Sequence, residues 1–184
     1  MTTIVGTVTL SLPMPPAREQ TMESSSTEVS VRAAEVGDAP AIDHLILYLD
    51  EFHANARPDL FRVPPGRPRG EDFLESALND AKQKVLVAVR RNDVMGYVHI
   101  LIKSTAASPY RVGRCYSEID TICVHPTAQR LGTGRKLIDA ALNWARSKGV
   151  QDHQIAVHEF NGPARALYEE LGFVPSIAVL RQKD

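Results

Sequence analysis

The feature that most constrains the fold is an apolar strand pattern that ends at a proline, followed by two glycines and a long amphipathic helix. The strand pattern covers residues 114–124 and stops at Pro126. Gly132 and Gly134 then introduce residues 131–148, whose apolar positions recur at helical spacing. A strand that passes through a short loop into a helix indicates an α/β unit with a defined helix N-terminus.

This helix N-terminus has the properties of an anion site. Its first backbone N–H groups lack helical acceptors and carry a partial positive charge. Glycines at 132 and 134 would let a phosphate approach the backbone, and Arg130 and Arg135 add positive charge. The anion that this helix N-terminus favours is a diphosphate. The sequence has neither the nucleotide P-loop nor the three-glycine dinucleotide fingerprint, so the segment is a phosphate-binding motif of a different type.

The remaining sequence divides into an extension and one domain. Residues 1–28 are rich in Thr, Ser and Pro, which predicts a disordered extension, and residues 29–184 form the domain. A tight turn at 91–93 predicts a hairpin, and Asp38 is an expected helix N-cap. The predicted strands are 29–33, 85–89, 94–102, 114–124, 155–157 and 173–180, and the predicted helices are 38–54, 71–80, 131–148 and 162–171.

Composition limits the classes of function. The chain has 184 residues, of which 43% are hydrophobic and 23% charged, with a net charge of −1. This balance does not favour nucleic-acid binding, although four arginines fall between Arg57 and Arg69. No apolar run is long enough to span a membrane, and no basic residue precedes Arg18 as a secretory signal would require.

The two cysteines indicate a reducing compartment. Cys115 and Cys123 lie along one predicted strand, where they cannot face each other as a disulfide. They also lack the spacing of a zinc site, and no histidine has metal-ligand spacing, so we expect no metal. A cytoplasmic protein is the expectation.

Two motifs resemble those of the GCN5-related N-acetyltransferase (GNAT) superfamily. Residues Gln129 to Gly134 match its Q/R-x-x-G-x-G signature, after a strand ending in V-H-P. A second motif follows about 27 residues later, formed by Asn161, Ala164, Ala166, Tyr168, Leu171, Gly172 and Phe173. The resemblance covers roughly residues 30–182. It implies an α/β (α+β) GNAT fold, with a mixed, mostly antiparallel sheet of six to seven strands flanked by four helices.

The resemblance also implies acetyl-CoA as cosubstrate, bound in the opened centre of the sheet. The family binds the coenzyme A pyrophosphate with the backbone of this signature and the pantetheine arm with the preceding strand. Asn161 matches a position beside the pantetheine. The implied cofactor-binding residues are Ile122, Cys123, Val124, Gln129, Arg130, Leu131, Gly132, Thr133, Gly134, Arg135 and Asn161.

The implied chemistry is direct transfer of the acetyl group to a primary amine. Glu118 stands eleven residues before Gln129, the offset of the general base in one branch of the family, and Asp120 would share or replace it. If no bulge intervenes, both carboxylates share a strand face, which would raise one pKa. Tyr168 matches the general acid that protonates the departing thiolate, and His158 is a minor candidate near the cleft.

The resemblance leaves the acceptor open between a small-molecule amine and a peptide or protein amine. Its acceptor site is shaped by residues 53–73 and by the last strands. The alternative function is a non-catalytic, regulatory acyl-CoA-binding module on the same fold. Homodimer formation is also left open, and no nucleic-acid or membrane partner is expected.

Overall fold

The computed structural model describes residues 28–65 and 70–182. The predicted disordered extension therefore lies outside the described residues except for Glu28. The Glu28 carboxylate accepts a hydrogen bond of 2.9 Å from Lys136 Nζ, so this last residue of the extension contacts the domain.

A five-stranded mixed sheet forms the centre of the domain. Strands β1 to β4 are antiparallel in chain order, and β5 is parallel to β4 at the edge of the sheet. The expected mixed, mostly antiparallel sheet is confirmed. The strands are β1 (Ser30–Ala33), β2 (Gln83–Arg90), β3 (Asp93–Thr105), β4 (Arg114–Val124) and β5 (His153–Ile155).

The predicted hairpin joins β2 to β3. Arg91 and Asn92 have φ angles of 51° and 70°, which is the left-handed region that a two-residue hairpin turn of type I′ requires. This turn, together with a register shift at Ala88 and Val89, sets the pairing of β2 with β3, including Val85 opposite His99.

Four α-helices cover the two faces of the sheet, as expected. They are α1 (Ala39–Ala56), α2 (Gly70–Leu78), α3 (Thr133–Ser147) and α4 (Gly162–Glu170). One apolar core lies between the sheet and α3, where Leu137, Ile138 and Ala141 are fully buried, and α4 joins it through Tyr168. The second core lies on the opposite face, against α1 and α2.

The ends of α3 correct one prediction and confirm another. Leu131 was expected on the apolar stripe of the helix, but the helix begins at Thr133 and the Leu131 side chain is exposed. Gly132 takes a left-handed φ of 76° that turns the chain just before the helix, and Leu131 precedes that turn. Gly149, at φ 81°, ends the helix as predicted.

The predicted closing strand at 173–180 is wrong, because no residue from 173 to 182 is in a strand. Gly172 turns the chain with a φ of 88°, and Pro175 has no N–H to donate to a ladder. The sheet consequently has five strands among the described residues, not six or seven.

Asp38 does not cap α1 with its side chain, contrary to expectation. Its carboxylate instead accepts two hydrogen bonds from the Arg32 guanidinium, at 2.7 and 2.8 Å, and one from the Glu35 backbone. These bonds hold the pKa of Asp38 below its usual range, with the Arg32 contact as the main cause. They fasten the short turn between β1 and α1.

Candidate active site

The sheet opens where β4 and β5 part. The two strands pair only through residues 117–119 and 153–155, so β4 beyond Ile119 has no strand partner on that side among the described residues. A cavity of about 450 Å³ occupies this opening. Its walls come from α1, the loop after it, α2, three strands and α4, through Ile46, Leu49, Asp50, His53, Phe61, Arg62, Phe73, Tyr97, Ile119, Asp120, Thr121, Ile122, Ile155, Ala156, Val157, His158, Asn161 and Tyr168.

A β-bulge in β4 gives Asp120 its place in the wall of this cavity. His99 pairs with Thr121 and Ile100 pairs with Ile119, so Asp120 is one extra residue on β4. Bulges bend a strand and re-aim a side chain. Glu118 and Asp120 were expected to share a strand face only if no bulge intervened, and a bulge does intervene. Asp120 lines the cavity, whereas Glu118 does not.

Glu118 is held by two neighbouring side chains. Lys103 Nζ donates to its Oε1 at 2.5 Å, and Gln154 Nε2 donates to its Oε2 at 2.6 Å. The contact with Glu118 is also the main cause that raises the pKa of Lys103. Both carboxylate oxygens of Glu118 are thus engaged within the sheet.

Asp120 has a different environment. Its Oδ2 accepts a hydrogen bond of 3.0 Å from the Thr121 hydroxyl and lies 3.5 Å from His99 Nδ1. The His99 contact is the main cause that lowers the pKa of Asp120, and burial acts in the opposite direction. The expectation that paired carboxylates raise one pKa is therefore wrong for Asp120.

Helix α4 supplies two further residues of the wall. Asn161 precedes the helix, and its Oδ1 accepts a hydrogen bond of 3.3 Å from the Ala164 backbone N–H as an N-cap. Tyr168 lies two turns further along and is buried, which raises the pKa of its phenol to about 12. The phenol therefore keeps its proton throughout the neutral range.

The loop from Gln129 to Gly134 lies between the end of β4 and the start of α3. Gln129 Nε2 donates to the Val124 carbonyl at 3.0 Å, and the buried Thr133 hydroxyl donates to the Ala128 carbonyl at 2.9 Å. These two bonds brace the loop on both sides of Gly132. A Cβ at residue 134 would lie 3.1 Å from the Leu167 side chain, so the glycine also permits close contact with α4.

The charged side chains of this loop differ in their contacts. Arg130 is exposed and has a φ of 61°, in the left-handed region that favours glycine. Arg135 Nη2 donates to Glu170 Oε2 at 2.8 Å, an exposed ion pair between α3 and α4. An anion at this end would therefore meet the first-turn backbone N–H groups of α3, with the arginines beside them.

The three predicted pantetheine-binding residues of β4 lie at the end of the strand, which pairs with β3 but has no strand partner on its other side among the described residues. Ile122 lines the cavity, and Val124 follows at the strand end. Cys123 is buried in the core against α1 and α2, and burial raises the pKa of its thiol to about 12. Its side chain is therefore turned into the core, as expected for a residue that contributes main chain.

A cluster of rings at the mouth of the cavity was not found from the sequence, apart from His158. The His158 ring lies 5.8 Å from His53, 5.0 Å from Phe61 and 5.3 Å from Phe160, between ring centroids. Burial, followed by the neighbouring His53 and Arg57, lowers the pKa of His158. These residues come from α1, the following loop and the segment after β5, so no local pattern links them.

Two kinds of feature are absent from the part of the chain that the structure describes. No group of three or more His, Cys, Asp or Glu side chains is arranged to hold a metal ion. None of the described helices combines the length and apolarity needed to cross a membrane. Arg67 and Arg69, half of the arginine cluster noted in the sequence, lie outside the described residues.

The chain belongs to the acetyltransferase (GNAT) family, which it matches over residues 48–173. An uncharacterized N-acetyltransferase of Bacillus subtilis, YhfO, is 26% identical over 145 residues, or 79% of this chain and 89% of the relative. These similarities and the fold confirm the expected superfamily and the acetyltransferase class of enzyme.

Solved structures agree with this assignment. A mutant of the BH1408 protein from Bacillus halodurans has a TM-score of 0.78 and 26% identity, covering 84% of this chain and 98% of that one. The aminoglycoside N-acetyltransferase AAC(6')-Iy, solved in complex with CoA, has a TM-score of 0.64 and 15% identity, covering 84% and 98%. The latter similarity shows a shared fold.

Proposed function

We propose that this enzyme transfers the acetyl group of acetyl-CoA directly to a primary amine of a small molecule or peptide. The observation that carries the proposal is the cavity at the opened end of β4, because Asp120 and the buried phenol of Tyr168 both line it. The strand that supplies Asp120 continues to Val124 and then leads into the loop at 129–134, where α3 begins.

The donor half of the site has the features that acetyl-CoA requires. The backbone N–H groups of residues 130–135 would bind the pyrophosphate, and the unpaired edge of β4 at 122–124 would hydrogen-bond the amides of the pantetheine arm. Asn161 lies beside this path. The thioester would then lie near Tyr168, whose phenol is protonated at neutral pH and can donate to the departing thiolate.

The acceptor half is supported by the carboxylates of the cavity. An amine is a cation at neutral pH and must lose a proton before it attacks the thioester carbon. Asp120 and Asp50 line the cavity and attract such a cation, whereas Glu118 is engaged by Lys103 and Gln154. We therefore assign the proton-accepting contact to Asp120, the second of the two carboxylates that the sequence left open, in preference to Glu118.

The direct test combines binding with turnover. Calorimetry should detect acetyl-CoA binding, and a thiol reagent should detect free CoA when spermine, kanamycin, lysine or an unprotected dipeptide is added. Turnover with at least one amine, and an N-acetyl product by mass spectrometry, is the expected result. Binding without turnover across a broad amine panel would instead support the non-catalytic acyl-CoA-binding module.

A cytoplasmic location is part of the same proposal. It is supported by Cys115 and Cys123, which are both free thiols in the structure. Fractionation of the cells that produce the protein would test it.

A further inference from the structure

A buried histidine lies directly behind Asp120. His99, on β3, is only 5% exposed, and its ring meets the edge of Phe73 at 4.9 Å. Its Nδ1 is buried and makes no hydrogen bond within the described part of the chain. The acceptor that this nitrogen faces is Asp120 Oδ2, 3.5 Å away, which is longer than the 2.7–2.9 Å of a formed charge-assisted bond.

The tautomer of His99 follows from a chain of hydrogen bonds on its other side. Asp80 accepts bonds from the Lys82 backbone and from Gln83 Nε2, which lower its pKa and keep it an acceptor. The Gln83 amide must therefore present its NH₂ group to Asp80 and its Oε1 to His99. Since Oε1 lies 2.9 Å from His99 Nε2, that nitrogen must carry the hydrogen.

This tautomer leaves a bare lone pair on Nδ1 whenever the ring is neutral. A lone pair that faces a carboxylate oxygen in a buried setting is unfavourable, and a proton placed between the two atoms would remove the conflict. We propose that His99 is a positioning residue that holds a proton for Asp120, so that the two side chains act as one proton-accepting pair.

The groups around the pair favour the ionised form of Asp120, so a proton accepted by the pair would be held by His99. Lys103 and the Thr121 hydroxyl both stabilise the ionised form of Asp120. The other charged or titratable groups near the pair are Glu118, on β4 with Asp120, and those of the cavity wall, which are Asp50, His53, Arg62, His158 and Tyr168.

The role of this pair in turnover rests on the proposed function. One N–H bond of the acceptor ammonium breaks, Asp120 relays that proton, and a new N–H bond forms at His99 Nδ1. The free amine then attacks the thioester carbon, the C–S bond breaks, and the thiolate takes the proton of Tyr168. The second amine proton restores the phenol, and the proton on His99 returns to solvent after product release.

Nitrogen-15 NMR of the histidine rings tests the pair without any turnover. The His99 signals, assigned by their loss in His99→Asn, should show the Nε2–H tautomer in the neutral ring and protonation at Nδ1 on acidification from about pH 9 to 5. In Asp120→Asn the same change of the ring signals should need a more acidic solution, because the neighbouring negative charge is gone. A neutral ring with Nδ1–H, or an unchanged pH response in Asp120→Asn, would overturn the proposal.

A second variant tests the cause of the tautomer. Gln83→Leu removes the acceptor for Nε2–H, so the neutral ring should turn to the Nδ1–H tautomer and donate to Asp120. Gln83 is at the start of β2 and half-buried, and its replacement by Leu changes neither the His99 nor the Asp120 side chain itself. A wild-type tautomer in Gln83→Leu would contradict the hydrogen-bond chain.

Kinetics link the pair to catalysis. With the amine that gives the highest turnover in the panel above, His99→Asn should lower kcat/KM near neutral pH by about 10- to 100-fold. The rising limb of its pH profile should move to lower pH, because an isolated carboxylate takes up protons only in acid. The control His44→Asn, an exposed histidine on α1, should keep the wild-type profile.

These experiments distinguish an error in the proposed His99–Asp120 pair from an error in the proposed acetyl transfer. A wild-type pH profile in His99→Asn would remove His99 from the mechanism, even if acetyl transfer is confirmed. No turnover in the wild type, with the NMR result as expected, would overturn the acetyl-transfer proposal and leave the proton-holding pair intact.

Discussion

The loop proposed to bind the pyrophosphate and the proposed acceptor side of the cavity are built in opposite ways. The loop at 129–134 is one continuous segment, and the groups it offers are backbone N–H groups set by a helix end and a left-handed glycine. The acceptor side collects Asp50, His53, Asp120 and His158 from α1, β4 and the segment after β5. Backbone chemistry can thus be placed by a short local sequence, whereas side-chain chemistry needs the whole fold.

The largest expected effect separates the two carboxylates of β4. Asp120→Asn should lower kcat/KM for the acceptor by about 100- to 10,000-fold, because the ammonium loses its proton acceptor, while acetyl-CoA affinity changes little. Glu118→Gln is the matched control and should retain most of the activity, since Glu118 is engaged by Lys103 and Gln154. Steady-state kinetics of both variants decide the assignment, and the reverse order of effects would return the role to Glu118.

Tyr168→Phe should have the next largest effect. Loss of the phenolic proton donor should lower kcat by about 10- to 100-fold, and calorimetry should show acetyl-CoA affinity nearly unchanged. Because burial raises the pKa of Tyr168 to about 12, ionisation of this phenol should cause no falling limb in the wild-type profile below that pH. A large loss of affinity would indicate instead that Tyr168 acts by packing.

Substitution of two glycines with left-handed φ angles, one at each end of α3, tests whether the loop at 129–134 binds the pyrophosphate. Gly132→Ala and Gly149→Ala impose similar backbone strain, because their φ angles are 76° and 81° and neither Cβ would meet a neighbour within 4 Å. Each should lower the free energy of unfolding by about 1 kcal/mol. Only Gly132→Ala should weaken acetyl-CoA binding, by about tenfold, because only Gly132 lies in the loop proposed to bind the pyrophosphate. Equal affinities in calorimetry would place the pyrophosphate elsewhere.

Asn161 caps α4 and is also proposed to lie beside the pantetheine arm. Its substitution should therefore have smaller effects, on both stability and acetyl-CoA affinity. Asn161→Ala removes the cap of α4 and should cost about 1 kcal/mol of stability, whereas Asn161→Ser keeps a capping oxygen and should cost less. If the Asn161 amide also binds the pantetheine arm, both variants should weaken acetyl-CoA affinity by a few fold. Thermal unfolding and calorimetry on the same samples separate the two roles.

The smallest effect concerns the two thiols of β4. Cys115 is exposed, whereas Cys123 is buried with a pKa raised to about 12, so almost none of it is the reactive thiolate at mildly alkaline pH. Iodoacetamide should therefore modify Cys115 alone, with activity preserved. Peptide mass spectrometry after alkylation checks this, and modification of Cys123 in the folded protein would contradict its burial in the core.

Local sequence predicted much of the fold and the donor half of the site. Gly132, Gly149 and Gly172 all have the positive φ angles typical of glycines at helix ends, and the turn at Arg91 and Asn92 forms the predicted hairpin. The wrong predictions concern segments whose conformation depends on tertiary contacts. The apolar residues at 173–180 have strand-like composition, but they do not pair with the sheet.

The sequence by itself determined the family, the order of the main elements and the helix end that we propose as the pyrophosphate site. These follow from short-range patterns, since backbone conformation at a turn or helix end depends on a few adjacent residues. Only the tertiary structure decided which carboxylate of β4 lines the cavity and what stands behind it. A single extra residue in β4 re-aims Asp120, and the position of His99 depends on the pairing of β4 with β3, a long-range contact that residue order alone does not specify.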